Sequence, residues 1–184
     1  MADFNKAVKV VLKNEGKFND DPHDAGHATA YGISLRFLVL SGIDLNADNT
    51  VDIKDILALT PFEAKKIYKK EWWDKYKYGN IQSQPIATKI FDLAVNMGSK
   101  QAHLLAQRAI NQVGINVYKF ETIKEDGILG SKSIAAINFI DNRQKELTLL
   151  YAIRDNAVKF YIEIASNNSN LKRFLAGWIS RGKS

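Results

Sequence analysis

The first residue in this chain with chemistry to offer is a glutamate on the apolar side of a helix. Phe4, Ala7, Val8, Val11 and Leu12 recur at helical spacing, and Glu15 follows Leu12 by three positions and Val11 by four. The pattern predicts a helix that starts at Asp3 as N-cap and stops at Gly16. It turns Glu15 inward, among neighbours that disfavour a charged carboxyl, at the negative end of the helix dipole. A carboxyl kept protonated near neutral pH donates a proton to a leaving alcohol. The same spacing equally suits a solvated glutamate or a structural ion pair.

Further oxygen-bearing residues cluster in two places. From Lys17 to Gly32 the chain is rich in Asp, Asn, Gly and His, with Pro22, and helical periodicity is lost. This predicts an irregular loop with one short hairpin. Asp20 and Asp21 suit Asx turns there. His23 and His27 are four apart but lack a third ligand, so zinc is not expected. The second cluster runs from Asp44 to Asp55. On a twelve-position EF-hand loop, Asp44, Asn46, Asp48 and Asp52 fall at positions 1, 3, 5 and 9, Thr50 at 7 and Asp55 at 12. Asn49 stands where glycine is expected, and Asn tolerates the left-handed turn best among the other residues. Asp at position 12 gives the loop a dockerin-type character. Structural calcium is expected on Asp44, Asn46, Asp48, Thr50, Asp52 and Asp55, the alternative being an acidic Asx-turn loop.

The elements that must hold these residues are mostly helices. A short helix is expected over 33–43, ending at Gly42. Thr60-Pro61-Phe62-Glu63 reads as a capping box that starts a helix running through Trp72. Adjacent Trp72 and Trp73 suit a cleft wall, or one ring in the core. Helices are also predicted around 86–97 (stopping at Gly98), 102–110, 131–142, 147–162 and 171–178. The fold class is mainly α, with a small loop-rich lobe in front of a helical lobe.

Composition narrows the partners. The chain has 184 residues, 46% hydrophobic and 25% charged, which suits a globular protein rather than a disordered one. Cysteine is absent, which excludes disulfides, thiolate metal sites and a cysteine nucleophile. A net charge of +6 suggests an anionic partner. The basic residues are scattered, and Lys69, Lys70, Lys75 and Lys77 form the one dense cluster, suited to an anionic wall. No apolar run reaches the length of a membrane span, and the charged N-terminus does not read as a secretory signal.

One ordered set of motifs carries a resemblance. Glu15-Gly16, Asn19-Asp20-Asp21-Pro22, Asp24, Gly26, Thr29 and Tyr31-Gly32-Ile33-Ser34 together resemble the opening motif of glycoside hydrolase family 108. These enzymes are N-acetylmuramidases, commonly phage endolysins. Lys17, Phe18 and His27 depart from the family pattern. Phe91-Asp92-Leu93-Ala94-Val95-Asn96-Met97-Gly98, Gln107-Arg108-Ala109 and Asp126-Gly127-Ile128-Leu129-Gly130 are similar to the family's peptidoglycan-binding segment. Phe174-Leu175-Ala176-Gly177-Trp178-Ile179-Ser180-Arg181 resembles its C-terminal ending.

The resemblance implies a lysozyme-like fold and hydrolysis of the β-1,4 bond between N-acetylmuramic acid and N-acetylglucosamine. Glu15 would be the acid. Phage-type lysozymes show a related Glu, Asp, Thr order, which would make Asp24 the charge stabiliser or water activator and Thr29 the water holder. Asp20 and Asp21 compete with Asp24. Tyr31 would pack on a sugar or orient Glu15, or else be a core tyrosine. Asn96 would contact a sugar amide, or else bond at its helix end. Residues 1–85 would form the catalytic lobe and 86–184 the peptidoglycan-binding lobe, packed as one unit. The expected partner is the glycan strand, with no nucleic acid, no stable membrane insertion, no organic cofactor and a monomeric state. The protein would collect in the host cytoplasm until released to the wall. A non-catalytic wall-binding or adaptor module and a nucleic-acid-binding helical protein are the competing functions.

Overall fold

A computed structural model of the chain describes residues 1–15, 18–19, 29–115, 121–142 and 145–184. Helix α1 spans Phe4–Glu15, with Ala7, Val8 and Val11 buried. The backbone of Lys6 donates to the Asp3 carboxylate at 3.1 Å, so Asp3 caps α1 as expected. Three two-residue strands form an antiparallel sheet in the order β1 (Phe18–Asn19), β2 (Thr29–Ala30), β3 (Ile33–Ser34). Thr29 pairs with Asn19 on one side and Ser34 on the other. The turn between β2 and β3 has only two residues, Tyr31 (φ +51°) and Gly32 (φ +75°). Positive φ at both is the turn whose twist suits a tight hairpin.

Helix α2 (Leu35–Ser41) starts at a Ser34 cap and ends on left-handed Gly42. Helix α3 spans Ile53–Ala58 and α4 spans Pro61–Tyr68. Thr60 caps α4 through the Glu63 amide at 3.2 Å. The reciprocal capping box belongs to α3, where Asp52 and Asp55 bond each other's backbone. The helix expected to run through Trp72 is α-helical only to Tyr68 and continues as a wider π turn over Lys69–Asp74. There both indoles pack inward: Trp73 meets Phe91 edge-on at 5.6 Å, and Trp72 lies 4.9 Å from Phe37 and 5.4 Å from Tyr68.

The other half consists of α5 (Gln84–Met97), α6 (Ser99–Val113), α7 (Ser131–Asn142), α8 (Glu146–Asn167) and α9 (Leu175–Lys183), the last preceded by a 3-10 turn over Ser169–Phe174. Helix α5 is the centre of the molecule. It packs on α1, α6 and α8, and buries Ile86, Ala87, Ile90, Phe91, Leu93 and Ala94. A helix so apolar on every side belongs in a core, yet α5 also buries Lys89 and Asp92. Charged groups are almost never fully buried without partners, and theirs define the site. Helix α8 packs on α9, and Gly182 sits so close to it that a Cβ would come within 3.0 Å of Val158 Cγ2. The expected mainly α, lysozyme-like architecture is what the chain adopts.

Candidate active site

Glu15 is the last residue of α1, and its side chain is only 15% exposed. Of the settings that the sequence pattern allows, an apolar one and an ion pair, the structure gives Glu15 a cation. Arg181 Nη2 donates to Glu15 Oε1 at 2.5 Å, and the same nitrogen donates to Asp92 Oδ1 at 2.8 Å. Arg181 Nε reaches both Asp92 oxygens at 3.2 Å. Asn14 Nδ2 adds a bond to Asp92 Oδ1 at 3.0 Å. One guanidinium on α9 thus joins two carboxylates, from α1 and α5, in a largely dry pocket. Burial opposes the Arg181 charge, but Asp92 and Glu15 outweigh it and strengthen its hold on the proton.

Lys89, one turn before Asp92 on α5, completes the cluster. Its ammonium donates to the Arg181 carbonyl at 2.5 Å and lies 3.9 Å from Asp92. Burial pushes Lys89 down to about 8, against the pull of Asp92.

The other oxygen of Glu15 faces the β2–β3 turn. A Cβ built on Gly32 would fall 2.5 Å from both Glu15 Cγ and Oε2. Glycine is therefore required at Gly32 twice over, by conformation and by space. The turn is fixed from behind by Tyr68, whose hydroxyl donates to the Tyr31 carbonyl at 2.7 Å. Burial, and then the charge on Glu15, push the Tyr68 phenol well above its ordinary range, so it remains a donor.

The residues expected at the site divide as follows. Tyr31 is half-buried against the core and supplies the turn that seats Gly32 on Glu15. Thr29 begins the strand leading into that turn. Asp20, Asp21, His23, Asp24 and His27 lie outside the described residues, as does Gly16. Asn96, one helical turn after Asp92, accepts from the Tyr161 hydroxyl at 2.6 Å. Tyr161 in turn stacks on Trp178, three residues before Arg181. The C-terminal Phe174, Trp178 and Arg181 therefore act together: the two rings stack at 5.7 Å and support the helix that delivers the guanidinium. Arg181, Asp92 and Lys89 carry no role in the sequence argument. The available signal was a lysine and an aspartate three apart in an otherwise apolar helix, which demands buried partners.

The acidic loop lies apart and is bonded within itself. Asp44 accepts from the amides of Ala47 (2.6 Å) and Asn49 (2.8 Å). Asp48 accepts from the amide and hydroxyl of Thr50, which hold its carboxyl down at about 2. Asp55 is fully buried and takes three backbone N–H groups, from Leu45 (2.7 Å), Asn46 (3.3 Å) and Asp52 (2.8 Å). Burial pushes that carboxyl up, but the three donors outweigh it and hold it below the usual range. Asn49 does adopt the left-handed conformation, at φ +68°. Lys54 lies 3.4 Å from Asp48 and 3.6 Å from Asp52, where it compensates their charge. Among the described residues no three Asp, Glu or His side chains converge as a metal set. As placed, the donor oxygens are turned to their own loop rather than to a common centre.

Comparison with known proteins divides the chain into two matched segments. The family described as Glycosyl hydrolase 108 matches residues 8–98, and that described as Predicted Peptidoglycan domain matches 101–183. The two segments meet where α5 gives way to α6. Among solved structures, Brucella abortus SagA is similar at 21% identity, over 98% of this chain and 96% of its own, with a TM-score of 0.66; this likeness concerns the fold. No curated protein sequence matches. An enclosed glutamate ending the first helix, within a segment that matches this hydrolase family and before one that matches the peptidoglycan domain, leads to one conclusion: the chain belongs to the glycosyl hydrolase 108 family and is a peptidoglycan-hydrolysing glycoside hydrolase.

Proposed function

We propose that the bond cut is the β-1,4 linkage between N-acetylmuramic acid and N-acetylglucosamine, with Glu15 as the proton donor to the leaving oxygen. The observation that carries this reading is the division of labour between the two Glu15 oxygens. Oε1 is held by Arg181, so Oε2, beside the Gly32 turn, is the oxygen left to carry and deliver a proton. Asp92 and Arg181 are positioning residues: they fix the carboxyl and do not reach the sugar. Glycoside cleavage also needs a group that handles the oxocarbenium-like charge or activates water. Asp24 is proposed for that role, and Thr29, on the hairpin that touches Glu15, for holding the water. Asn96 spends its carbonyl oxygen on Tyr161, which leaves its amide nitrogen to meet an acetamido carbonyl.

Product analysis of digested peptidoglycan tests the bond assignment. A muramidase leaves N-acetylmuramic acid at the new reducing end; N-acetylglucosamine or an anhydro sugar there would overturn it. Asp24→Asn is expected to cost less activity than Glu15→Gln, and greater sensitivity at Asp20 or Asp21 would move the second role.

Two further proposals rest on the sequence. A phage endolysin, held in the host cytoplasm until a holin releases it to the wall, is supported by the family resemblance; lysis of a producing host only when a holin is co-expressed would bear this out. Calcium on Asp44, Asn46, Asp48, Thr50, Asp52 and Asp55 is supported by hard oxygen donors at EF-hand spacing and by the turn at Asn49. Calcium against chelator in a thermal melt decides this, with no shift removing the metal.

A further inference from the structure

A groove of about 550 Å³ lies away from Glu15, at the seam between the two matched segments. One bank is Lys75, Tyr76 and Lys77, from the chain before α5. The other is Ile128, Ile134 and Ala135, from the chain around the start of α7. A second depression, of about 560 Å³, shares Tyr76 and continues along Met97, Gly98 and Lys100.

Four properties define what suits this track. First, no aspartate or glutamate lines either depression, while three lysines do. Second, these lysines are poorly compensated. Lys69 and Lys70 of the same basic cluster pair with Asp74 and Glu71. Among the described residues Lys75 has one ion-pair partner, Glu71 at 3.9 Å, besides the Tyr76 ring it lies over, and Lys77 and Lys100 form no ion pair. Third, Lys77 holds a left-handed backbone at φ +57°, a conformation that glycine adopts freely and lysine does not. Strain of this kind is kept where a side chain is used. Fourth, the opposite bank is apolar and open: Ile128 is 70% exposed.

His103, in the floor, is neutral. Burial lowers it to about 4, and its Nδ1 donates to the Gly127 carbonyl while Nε2 accepts from the Tyr78 hydroxyl. The positive charge of the groove is thus carried by the lysines.

We propose that this track binds the peptide stem of peptidoglycan, with its free carboxylates on Lys77, Lys75 and Lys100 and its alanine methyl groups against Ile128, Ile134 and Ala135. The proposal rests on the reading of the chain as a peptidoglycan hydrolase and names the part of the substrate that the second segment recognises. A neutral sugar chain has no use for unpaired lysines. A polyol-phosphate polymer has no use for the apolar bank. A short acidic peptide rich in alanine matches both.

The test titrates the protein with a synthetic N-acetylated alanine–γ-glutamate–lysine–alanine tetrapeptide, with the same peptide amidated at both carboxyls, and with a ribitol-phosphate oligomer. The acidic tetrapeptide is expected to bind about tenfold more tightly than the amidated one. Two variants probe the two banks. Lys77→Gly relieves the backbone, so its melting temperature is expected to hold or rise while peptide affinity falls about tenfold. Ile128→Asp, at an exposed position, is expected to fold normally and lose similar affinity. Both should cut peptide-free glycan at the wild-type rate and show a raised KM on intact peptidoglycan. Equal binding of the two peptides, unchanged affinity in both variants, or preference for the phosphate oligomer would overturn the proposal. Cleavage of intact peptidoglycan at a different bond would instead sink the bond assignment, and leave the peptide titration to stand or fall alone.

Discussion

Two acidic regions of this protein solve the same electrostatic problem with partners at very different distances along the chain. In the loop from Asp44 to Asp55, each carboxylate is served by a neighbour no more than ten residues away, as when Asp55 accepts from Leu45. At the candidate active site, Glu15 meets Arg181 across 166 residues and Asp92 meets it across 89. The loop can form as soon as its own twelve residues are ordered. The cluster exists only when α1 has packed on α5 and α9 on α8, after the closure entropy of the intervening chain has been overcome. A carboxylate bonded by local amides stabilises a turn. One fixed by a distant guanidinium can be placed against a substrate with the whole fold behind it.

The comparison is broken most severely at Glu15. Glu15→Gln retains an oxygen for Arg181 but loses the transferable proton, so the protein is expected to fold while lytic activity drops by roughly 10²–10⁴-fold. Zymography alongside circular dichroism checks this; near-normal clearing would falsify the acid assignment.

Next comes Arg181→Ala, which leaves two buried carboxylates without their cation. A loss of about 3–5 kcal/mol is expected in urea unfolding. A loss under about 1 kcal/mol would put the cluster on a par with an ordinary surface pair.

Lys89 sharpens the contrast through pH. Its folded value of about 8 lies below the ordinary 10.5. Between those values the unfolded chain holds a proton that the folded chain has released, so stability rises with pH across this window. The full rise attributable to this group is about 3 kcal/mol, and Lys89→Met should abolish it. If the variant keeps the same rise between pH 8 and 10, the titrating group lies elsewhere.

Asp55→Ala is expected to have the smallest effect, about 1–3 kcal/mol, from three backbone donors left without an acceptor. Hydrogen exchange should localise the damage to the loop and α3, with Arg181 and its partners unaffected. Faster exchange across α5 and α9 would show that the two regions are coupled.

What was legible follows the same divide. The Asp3 cap, the end of α2 at Gly42, the start of α4 at Thr60 and the end of α5 at Gly98 are written in adjacent residues, and all appear where expected. The left-handed Asn49 was legible for the same reason. The π turn after Tyr68 was not, because it depends on how Trp72 and Trp73 pack on Phe37 and Phe91. Glu15 could be singled out from its place on the α1 stripe. Its surroundings could not, because periodicity tells which way a side chain points and not what waits there. Arg181 and Asp92 stood in recognisable motifs, yet nothing in either motif says that they meet.

By itself, the sequence determined the helical class, the caps, the inward turn of Glu15 and the family to which the chain is similar, since periodicity, capping and motif order are properties of near neighbours. Only the tertiary structure decided that Arg181 would grip Glu15 and Asp92, that Gly32 would lie against the reactive oxygen and that Lys77 would face Ile128 across a groove. These are meetings between distant segments, and they are settled by how α1 and α8 pack on α5 and α9 on α8 rather than by any short stretch of residues.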